Sequence, residues 1–510
     1  MQENLYYAQI AWNDNNPISI KFDDVYYATT NGIKETEYVF LNGNDLANRF
    51  STLCDEDTFV IGETGFGCGL NFLSTLSLWQ NTVTSQAKLF FISFEKYPLA
   101  PQDLERVLNN FPQLDPQELL QQYYLPLPAT HRLHFKHNVY LNLIIGDINT
   151  TICKEEFIAD AWFFDGFTPR RNDEMWNDSL IAQIARLSKI NTTFATFTAS
   201  SSVRHSLIKY GFNAVKKKGF NKREMLSGYY QGLIVSPVYC QNNLRKNLHT
   251  YKAPWYSRPH IHSLNKEVII IGGGISGAVT AYSIAKRGYK VTLYEKNKNL
   301  ASEASGNYQS MLYGGFYGQY TAEMELSYAG YRYSHHLIKS LLKLGCEYYQ
   351  SGIIQLADNE KKLKQQIKTL VNNLPDDFCK QISQPEIIHL AGVLINCNNG
   401  LYFPYGLWLN MANLVNKLVI HPNIQVVLNS QVEQINLHGA MWEATINGKT
   451  KVCAPYIVLC NSHMLNQFTV TSNLDYYTTR GQISKINNNL NLQTDRKSTR
   501  LNSSHRCLSR

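Results

Sequence analysis

The amino-acid sequence predicts an α/β protein made of two successive units, each built on a mostly parallel sheet. Three observations carry this. An apolar run rich in β-branched residues leads directly into clustered glycines at TFVIGETGFGCG (58–69), and the same happens again at EVIIIGGGISGA (267–278). A helical pattern follows each run, and short apolar strands alternate with helical segments along much of the chain, the signature of crossover-connected parallel strands. At 510 residues, with 44% hydrophobic and 17% charged side chains, the chain is too long for one ordinary domain and too apolar for a disordered one.

In the first unit the expected strands are 58–63, 89–95, 141–147, 160–165 and 194–198, with helical patterns at 69–79, 101–110 and 175–188. A closely spaced last pair, 224–230 with 232–236, predicts an antiparallel hairpin at the sheet edge. Together these outline a Rossmann-like methyltransferase. The polar, basic stretch 240–263, broken by Pro254 and Pro259, reads as a linker. The expected boundaries are therefore 1–239, a linker at 240–263, a second domain at 264–493 and a tail at 494–510.

Composition narrows the class further. No stretch reaches the roughly 18 to 20 consecutive apolar residues that a membrane helix needs, and MQENLYYAQI lacks the design of a signal peptide, so the expectation is a cytoplasmic chain with no membrane partner. The ten cysteines are scattered without a C-x-x-C pair, which predicts neither a zinc site nor a disulfide framework. The formal charge is +8, but the last seventeen residues, TDRKSTRLNSSHRCLSR, contribute +4 of it with five Lys/Arg against one Asp.

The first unit's chemistry starts at Gly65, Gly67 and Gly69, a G-x-G-x-G turn after a strand that ends in Glu63. Glycine there lets the amino-acid part and ribose of a ligand approach the backbone. Acidic residues recur at the carboxyl ends of the following strands: Glu95, Asp147 and Asp165. Ligands of open α/β sheets bind at those ends. In S-adenosylmethionine enzymes the second-strand acid takes the ribose hydroxyls and the third-strand acid meets the adenine amine, places that Glu95 and Asp147 fit. Both positions also suit helix N-caps or solvated strand ends. Asp165, in DGFTP, can accept an amine N–H and so aim the nitrogen lone pair at a methyl sulfonium. No paired P-C motif suggests a thiol adduct, and Cys68 reads as a packing residue. The run Lys216-Lys217-Lys218-Gly219-Phe220-Asn221-Lys222-Arg223 is either a solvated face or a phosphate-binding patch.

In the second unit Gly272, Gly274 and Gly277 satisfy G-x-G-x-x-G between strand and helix, and Glu295 closes the next strand 23 residues after Gly272. This is a dinucleotide fingerprint in which the acid takes the adenosine ribose, and glutamate suits FAD or NAD. Ala304-Ser305-Gly306-Asn307-Tyr308-Gln309 favours flavin, because it resembles the flavin-contacting segment of enzymes of the D-amino-acid-oxidase type. Arg480-Gly481-Gln482 resembles a late element of the same enzymes. Strands such as GIIQLA (352–357) and IQVVL (424–428) are expected to build the substrate sheet. Such enzymes take a hydride from a carbon bearing an amine.

The motifs FDDVYY (22–27), ETEYVFLNGN (35–44), ETGFGCGLNFL (63–73), FISFEKYPL (91–99), DAWFFDGFTP (160–169), ATFTA (195–199) and KGFNKREML (218–226), with IIGGGISGA, ASGNYQ and FPYGLWL (403–409), resemble the bifunctional tRNA 5-methylaminomethyl-2-thiouridine biosynthesis family. The likeness runs from about residue 5 to 490. It implies an FAD domain that removes the carboxymethyl group of 5-carboxymethylaminomethyl-(2-thio)uridine as glyoxylate, and a methyltransferase that then methylates the exposed aminomethyl group from S-adenosylmethionine. By matching position, Glu63, Gly65, Gly67, Gly69, Glu95 and Asp147 would hold the methyl donor and Asp165 would orient the amine. Gly272, Gly274, Gly277, Glu295, Ser305, Gly306 and Asn307 would hold FAD, and Tyr26 is a weaker substrate-side candidate. Lys216, Lys217, Lys218, Lys222 and Arg223 would meet tRNA, with DNA not expected as a partner. The alternatives are an FAD oxidase of small free amines fused to an unrelated methyltransferase, or a methyltransferase with a non-functional oxidase half. The tail breaks in composition from the rest and resembles translated non-coding sequence, which implies an oxidoreductase half lacking the late return of the chain that completes such FAD sites.

Overall fold

The computed structural model describes residues 6–28, 31–124, 126–222, 224–232, 265–307, 309–314, 321–342, 345–370 and 374–478. The predicted linker, Arg223, Tyr308, Arg480 to Gln482 and the tail lie outside them. The chain forms two compact units, and the first takes in Gly315–Tyr333 and Asn359–Lys380 besides Met1–Lys252, a partition that the linear boundaries do not show. Arg332 accounts for part of this. Its buried guanidinium donates to the backbone carbonyls of Gln122 and Tyr124.

The first unit begins with a small antiparallel sheet of β1 (Ile10–Asn13), β2 (Asn16–Ser19) and β3 (Asp24–Val25). Its main sheet holds β4 (Thr58–Glu63), β5 (Lys88–Glu95), β6 (Thr130–Phe135), β7 (Val139–Ile145), β8 (Ala159–Phe163), β9 (Ser188–Thr196), β10 (Phe212–Lys218) and β11 (Glu224–Tyr230). The spatial order is β10-β11-β9-β8-β4-β5-β7-β6. The five strands from β9 to β7 run parallel, and antiparallel strands close both edges. Helices α1 (Gly32–Thr36), α2 (Leu46–Ser51), α3 (Leu70–Thr82), α4 (Pro101–Leu108), α5 (Gln117–Gln122), α6 (Ile148–Thr151), α7 (Asp178–Arg186) and α8 (Ser201–Lys209) lie in the connections.

The parallel strands read as near-continuous apolar runs because both faces are buried. Along β5, Leu89 and Phe91 pack into one core with Phe72, Leu141 and Phe163, while Ile92 and Phe94 pack into the other with Trp162, Phe164 and Phe194. An edge hairpin exists and pairs β10 with β11; of the expected partner strand 232–236, residues 233–236 lie outside the described residues. The lysines hide β10 from a periodicity search, since only Phe212 and Ala214 of its residues are buried. Register then fixes the sheet edge: Glu63 stands opposite Ser93 on one side and Phe163 on the other, and the same row continues through Ala195 and Ser227 to Val215. Lys216, Lys217 and Lys218 therefore overshoot the carboxyl edge of the sheet.

In the second unit Glu267–Ile271 pairs in parallel with Lys290–Tyr294 and with Tyr456–Leu459, and Lys290–Tyr294 pairs with Ile424–Val427. The run at 424–428, expected in the substrate sheet, is thus an edge strand of the dinucleotide-type sheet. A β-branched run suits either sheet, and local pattern does not choose between them. GIIQLA does lie in a separate antiparallel sheet, where Ile353–Leu356 pairs with Asn399–Phe403. The helix Ile275–Ala285 buries Gly277, Ala278, Ala281 and Ala285, small residues that let it approach the strands closely. No helix among the described residues is long and apolar enough to cross a membrane.

Gly62 in β4 makes a stability test possible. A Cβ there would stand 2.3 Å from the Trp162 ring, whose indole N–H is anchored 3.0 Å from Ser188 Oγ. Gly62→Ala is expected to cost about 1–3 kcal/mol through overpacking, seen as a lower thermal midpoint of the first unit.

Candidate functional site

The carboxyl edge of the first unit's parallel strands opens into a cleft of about 420 Å³. Gly65, Gly67, Glu95, Asp147 and Asp165 line it, as does Tyr26. Glu63 and Gly69, expected to touch the ligand, are not among the lining residues. Gly69 starts α3 with a left-handed backbone, φ 72°, and Glu63 is fully buried beneath the cleft. Cys68 is buried as well.

Glu63 is held by two donors, Ser93 Oγ at 2.6 Å and Asn71 Nδ2 at 2.9 Å. The same Asn71 nitrogen lies 2.6 Å from Asp165 Oδ2, and Gly166 N–H donates to Asp165 Oδ1 at 2.8 Å. Thr64 Oγ fixes the adjoining backbone by donating to the Asp165 carbonyl at 2.6 Å. Asn71 is the residue that sequence reasoning missed. It sits in GLNFL at the start of an apolar helix, and its only signal was a polar residue at a position the helical period assigns to the core.

Glu95 accepts from the backbone N–H groups of Gly67 and Tyr97, each at 2.8 Å, so the second-strand acid also fixes the glycine turn. Asp147 caps α6 through Asn149 N–H at 2.9 Å, and Lys96 lies 2.7 Å from its other oxygen and 2.9 Å from Glu174. The electrostatics separate these acids. Burial pushes Glu63 up to about 8, with the charge of Asp165 adding to it against the Ser93 and Asn71 hydrogen bonds. Burial likewise pushes Glu95 and Asp165 up to about 7, against the N–H donors that each accepts. For Asp147 burial works in the same direction, but Lys96 and Asn149 outweigh it and hold the carboxyl below its ordinary range. At the cleft mouth Phe22 stacks on Phe167 at 4.7 Å between centroids, and Tyr26 meets Phe167 edge-on at 5.2 Å.

Lys216, Lys217 and Lys218 are not among the cleft-lining residues. Lys216 pairs with Glu224 at 2.8 Å, and all three lysines are exposed on the same sheet edge as the cleft, four strands away from β4. At the usual strand spacing that separation is about 19 Å.

The second unit has a cleft of about 500 Å³ lined by Gly272, Gly274, Glu295 and Ser305, among others. Gly272 has φ 110°, and a Cβ on it would stand 2.4 Å from the Cys460 carbonyl oxygen. A Cβ on Gly277 would stand 1.9 Å from the Gly272 oxygen, which places that glycine in helix–strand packing and away from the cleft. Around Gly274, by contrast, only the Ser305 side chain lies within reach, so the backbone faces open space as a pyrophosphate requires. Glu295 is 7% exposed; its Oε2 accepts from Gly273 N–H at 2.7 Å and its Oε1 from Asn297 N–H at 2.9 Å. Ser305 Oγ accepts from Ile275 N–H, the first amide of the helix, at 3.0 Å. Gly306 and Asn307 are not among the lining residues. These groups fit a dinucleotide.

Fold and clefts together define a methyltransferase joined to a flavin-type oxidoreductase. Residues 114–231 match the S-adenosyl-L-methionine-dependent methyltransferase family, and residues 267–506 match the FAD dependent oxidoreductase family. The tRNA 5-methylaminomethyl-2-thiouridine biosynthesis bifunctional protein of Chromobacterium violaceum is 36% identical over 485 residues, covering 94% of this chain and 72% of that protein. Proteins of the same name from Pseudomonas putida and Pseudomonas aeruginosa are 35% and 36% identical, each over 94% of this chain and over 72% and 71% of their own lengths. The chain belongs to this bifunctional family. Its donor is S-adenosylmethionine and its cofactor is FAD.

The raised carboxyl of Glu63 sets a pH-dependent stability. The folded chain keeps a proton that the unfolded chain releases above its ordinary value of 4.5, so this contribution is fully present below that pH and is lost as pH rises to about 8. Glu63→Gln keeps the hydrogen-bond partners and removes the ionisation. Its thermal midpoint, relative to the parent chain, is expected to rise progressively between those two pH values in calorimetric scans.

Proposed function

We propose that the two units modify one tRNA wobble uridine in consecutive steps. In the second unit, FAD supplies a two-electron acceptor for the hydride on the carbon next to the side-chain amine. Gly274 would offer open backbone to the pyrophosphate, Gly272 lets the turn beneath it pass the Cys460 carbonyl, Ser305 would share the helix end with the phosphate, and Glu295 would take the ribose of the adenosine. Once the hydride and the amine proton have left, water adds to the resulting imine carbon, the carbon–nitrogen bond breaks with its electrons on nitrogen, and glyoxylate departs to leave 5-aminomethyl-(2-thio)uridine. Gly277 lets the helix Ile275–Ala285 pack closely on the turn, and Gly306 and Asn307 act by shaping the loop that carries Ser305.

The first unit then methylates that amine. Gly65 and Gly67 let the donor approach the backbone, Glu95 accepts from its ribose hydroxyls, and Asp147 meets the adenine amine. Gly69 and Glu63 support the turn and the cleft floor from beneath. Asp165 accepts an N–H of the amine, the nitrogen lone pair attacks the methyl carbon, the carbon–sulfur bond breaks with its electrons on sulfur, and the surplus proton leaves the nitrogen. No covalent enzyme intermediate is required. Tyr26 and the Phe22–Phe167 pair form an apolar wall for the base beside the reacting amine.

The observation that carries this reading is Asp165, held by Asn71 and Gly166 N–H at the cleft wall with acceptor capacity to spare. Lys216, Lys217 and Lys218 overhang the same edge, and with Lys222 and Arg223 they suit the phosphates of a long substrate. A tRNA substrate places the enzyme in the cytoplasm.

The test incubates the chain with S-adenosylmethionine and either carboxymethylaminomethyl or aminomethyl tRNA, then weighs the wobble nucleoside by mass spectrometry. Both are expected to become methylaminomethyl, and Asp165→Asn is expected to lower methylation by at least 100-fold, within the usual range for a positioned proton acceptor. If the aminomethyl tRNA stays unchanged, the methyltransferase assignment fails; if only the carboxymethylaminomethyl tRNA stays unchanged, the oxidase step fails. Replacing Lys216, Lys217 and Lys218 by Ala is expected to weaken tRNA binding about tenfold at 0.15 M salt and to flatten the dependence of log Kd on log salt by about 2, read by filter binding over a salt series.

A further inference from the structure

Asn71 is 7% exposed on the first turn of α3, and it is fully used. Its Oδ1 accepts from Thr36 Oγ at 2.9 Å, so the two hydrogens of Nδ2 must face the other way. There they meet Glu63 Oε1 at 2.9 Å and Asp165 Oδ2 at 2.6 Å. A flipped amide would set its oxygen against two carboxyl groups, so chemistry alone fixes its orientation.

We propose that Asn71 is a positioning residue for methyl transfer: one carboxamide, locked by Thr36, shares its two hydrogens between Glu63 and Asp165, so that the buried pair carries a single negative charge and that charge rests on Asp165. Three features assign it there. Glu63 is fully buried with no cleft exposure, whereas Asp165 lines the cleft, so ionising Glu63 is the costlier choice. The contact of Glu63 with Ser93 at 2.6 Å survives protonation, since a carboxyl O–H can donate to the hydroxyl oxygen in turn. Asp165 alone of the two accepts a backbone N–H, from Gly166 at 2.8 Å, which favours its anion. The other titratable groups facing the pair are Glu35, Glu95 and Cys68, and Glu35 and Glu95, when ionised, oppose a second charge. The upward shifts of Glu63 and Asp165 agree with one shared charge.

This inference rests on the methyl-transfer reading, and the experiment separates the two. Single-turnover methylation of aminomethyl tRNA is followed against pH for the parent chain, Asn71→Ala and Glu63→Gln, with donor affinity by calorimetry and thermal midpoints as controls. The parent rate is expected to rise with pH around 7, where Asp165 loses its proton. In Asn71→Ala the midpoint moves up by about one pH unit and the plateau falls about tenfold, with donor affinity within about twofold, because Asp165 has lost a charge-stabilising donor. Glu63→Gln keeps an acceptor for Asn71 and replaces a carboxyl that is already neutral where Asp165 titrates, so its midpoint stays within about 0.3 pH unit of the parent's. A folded Asn71→Ala with the parent's profile overturns the proposal. If Asn71→Ala does not fold, a midpoint in Glu63→Gln that moves down by about one pH unit, as the loss of a charged neighbour would make it, overturns it instead. A parent chain that never methylates the tRNA overturns the methyl-transfer reading and this inference together.

Discussion

Bringing Glu63, Glu95 and Asp165 together at the carboxyl edge of one parallel sheet is the constraint on which the first unit depends. Each lies where burial disfavours its charge, and each is compensated by fixed donors: Ser93 and Asn71, the N–H groups of Gly67 and Tyr97, or Asn71 and Gly166. The glycine turn, the first turn of α3 and the loop after β8 take their shapes from supplying those donors. An acidic cleft of this kind suits a sulfonium donor, which carries one more positive charge than the thioether it becomes. The same charges that cost stability therefore favour fresh donor over spent product.

The second unit satisfies its strand-end acid in a different way. Glu295 is held by Gly273 and Asn297 N–H groups at the end of its strand, and Gly272 allows the chain to pass the Cys460 carbonyl so closely that only hydrogen fits. One cleft is therefore tuned by shared protons and the other by close packing and open backbone.

Much of this was legible in the sequence because glycines and acids at strand ends answer to backbone needs that local pattern reveals. The strands at 58–63 and 89–95, the dinucleotide turn and Glu295 fall where their spacing predicts. What was not legible depends on distant partners. Asn71 gains its meaning from Thr36, Glu63 and Asp165, which only the fold brings together. Glu63 was read as a ligand-facing acid because a strand end does not reveal which way its side chain turns. β10 hides behind its lysines, β6 alternates as an ordinary amphipathic strand that was passed over, and Ile424–Val427 joins a sheet that its own residues do not specify.

The Ser305 hydroxyl on the first amide of the helix Ile275–Ala285 has a consequence of its own. That helix end does not wait bare for a phosphate, since a neutral acceptor already sits on it. Ligand entry there is an exchange of acceptors, hydroxyl for anion, and little is gained from filling a vacant hydrogen bond. The net gain is the difference between a neutral and a charged partner at the positive end of a helix dipole. The hydroxyl thus acts as a placeholder that keeps the loop folded between occupants and makes the seat selective for charge.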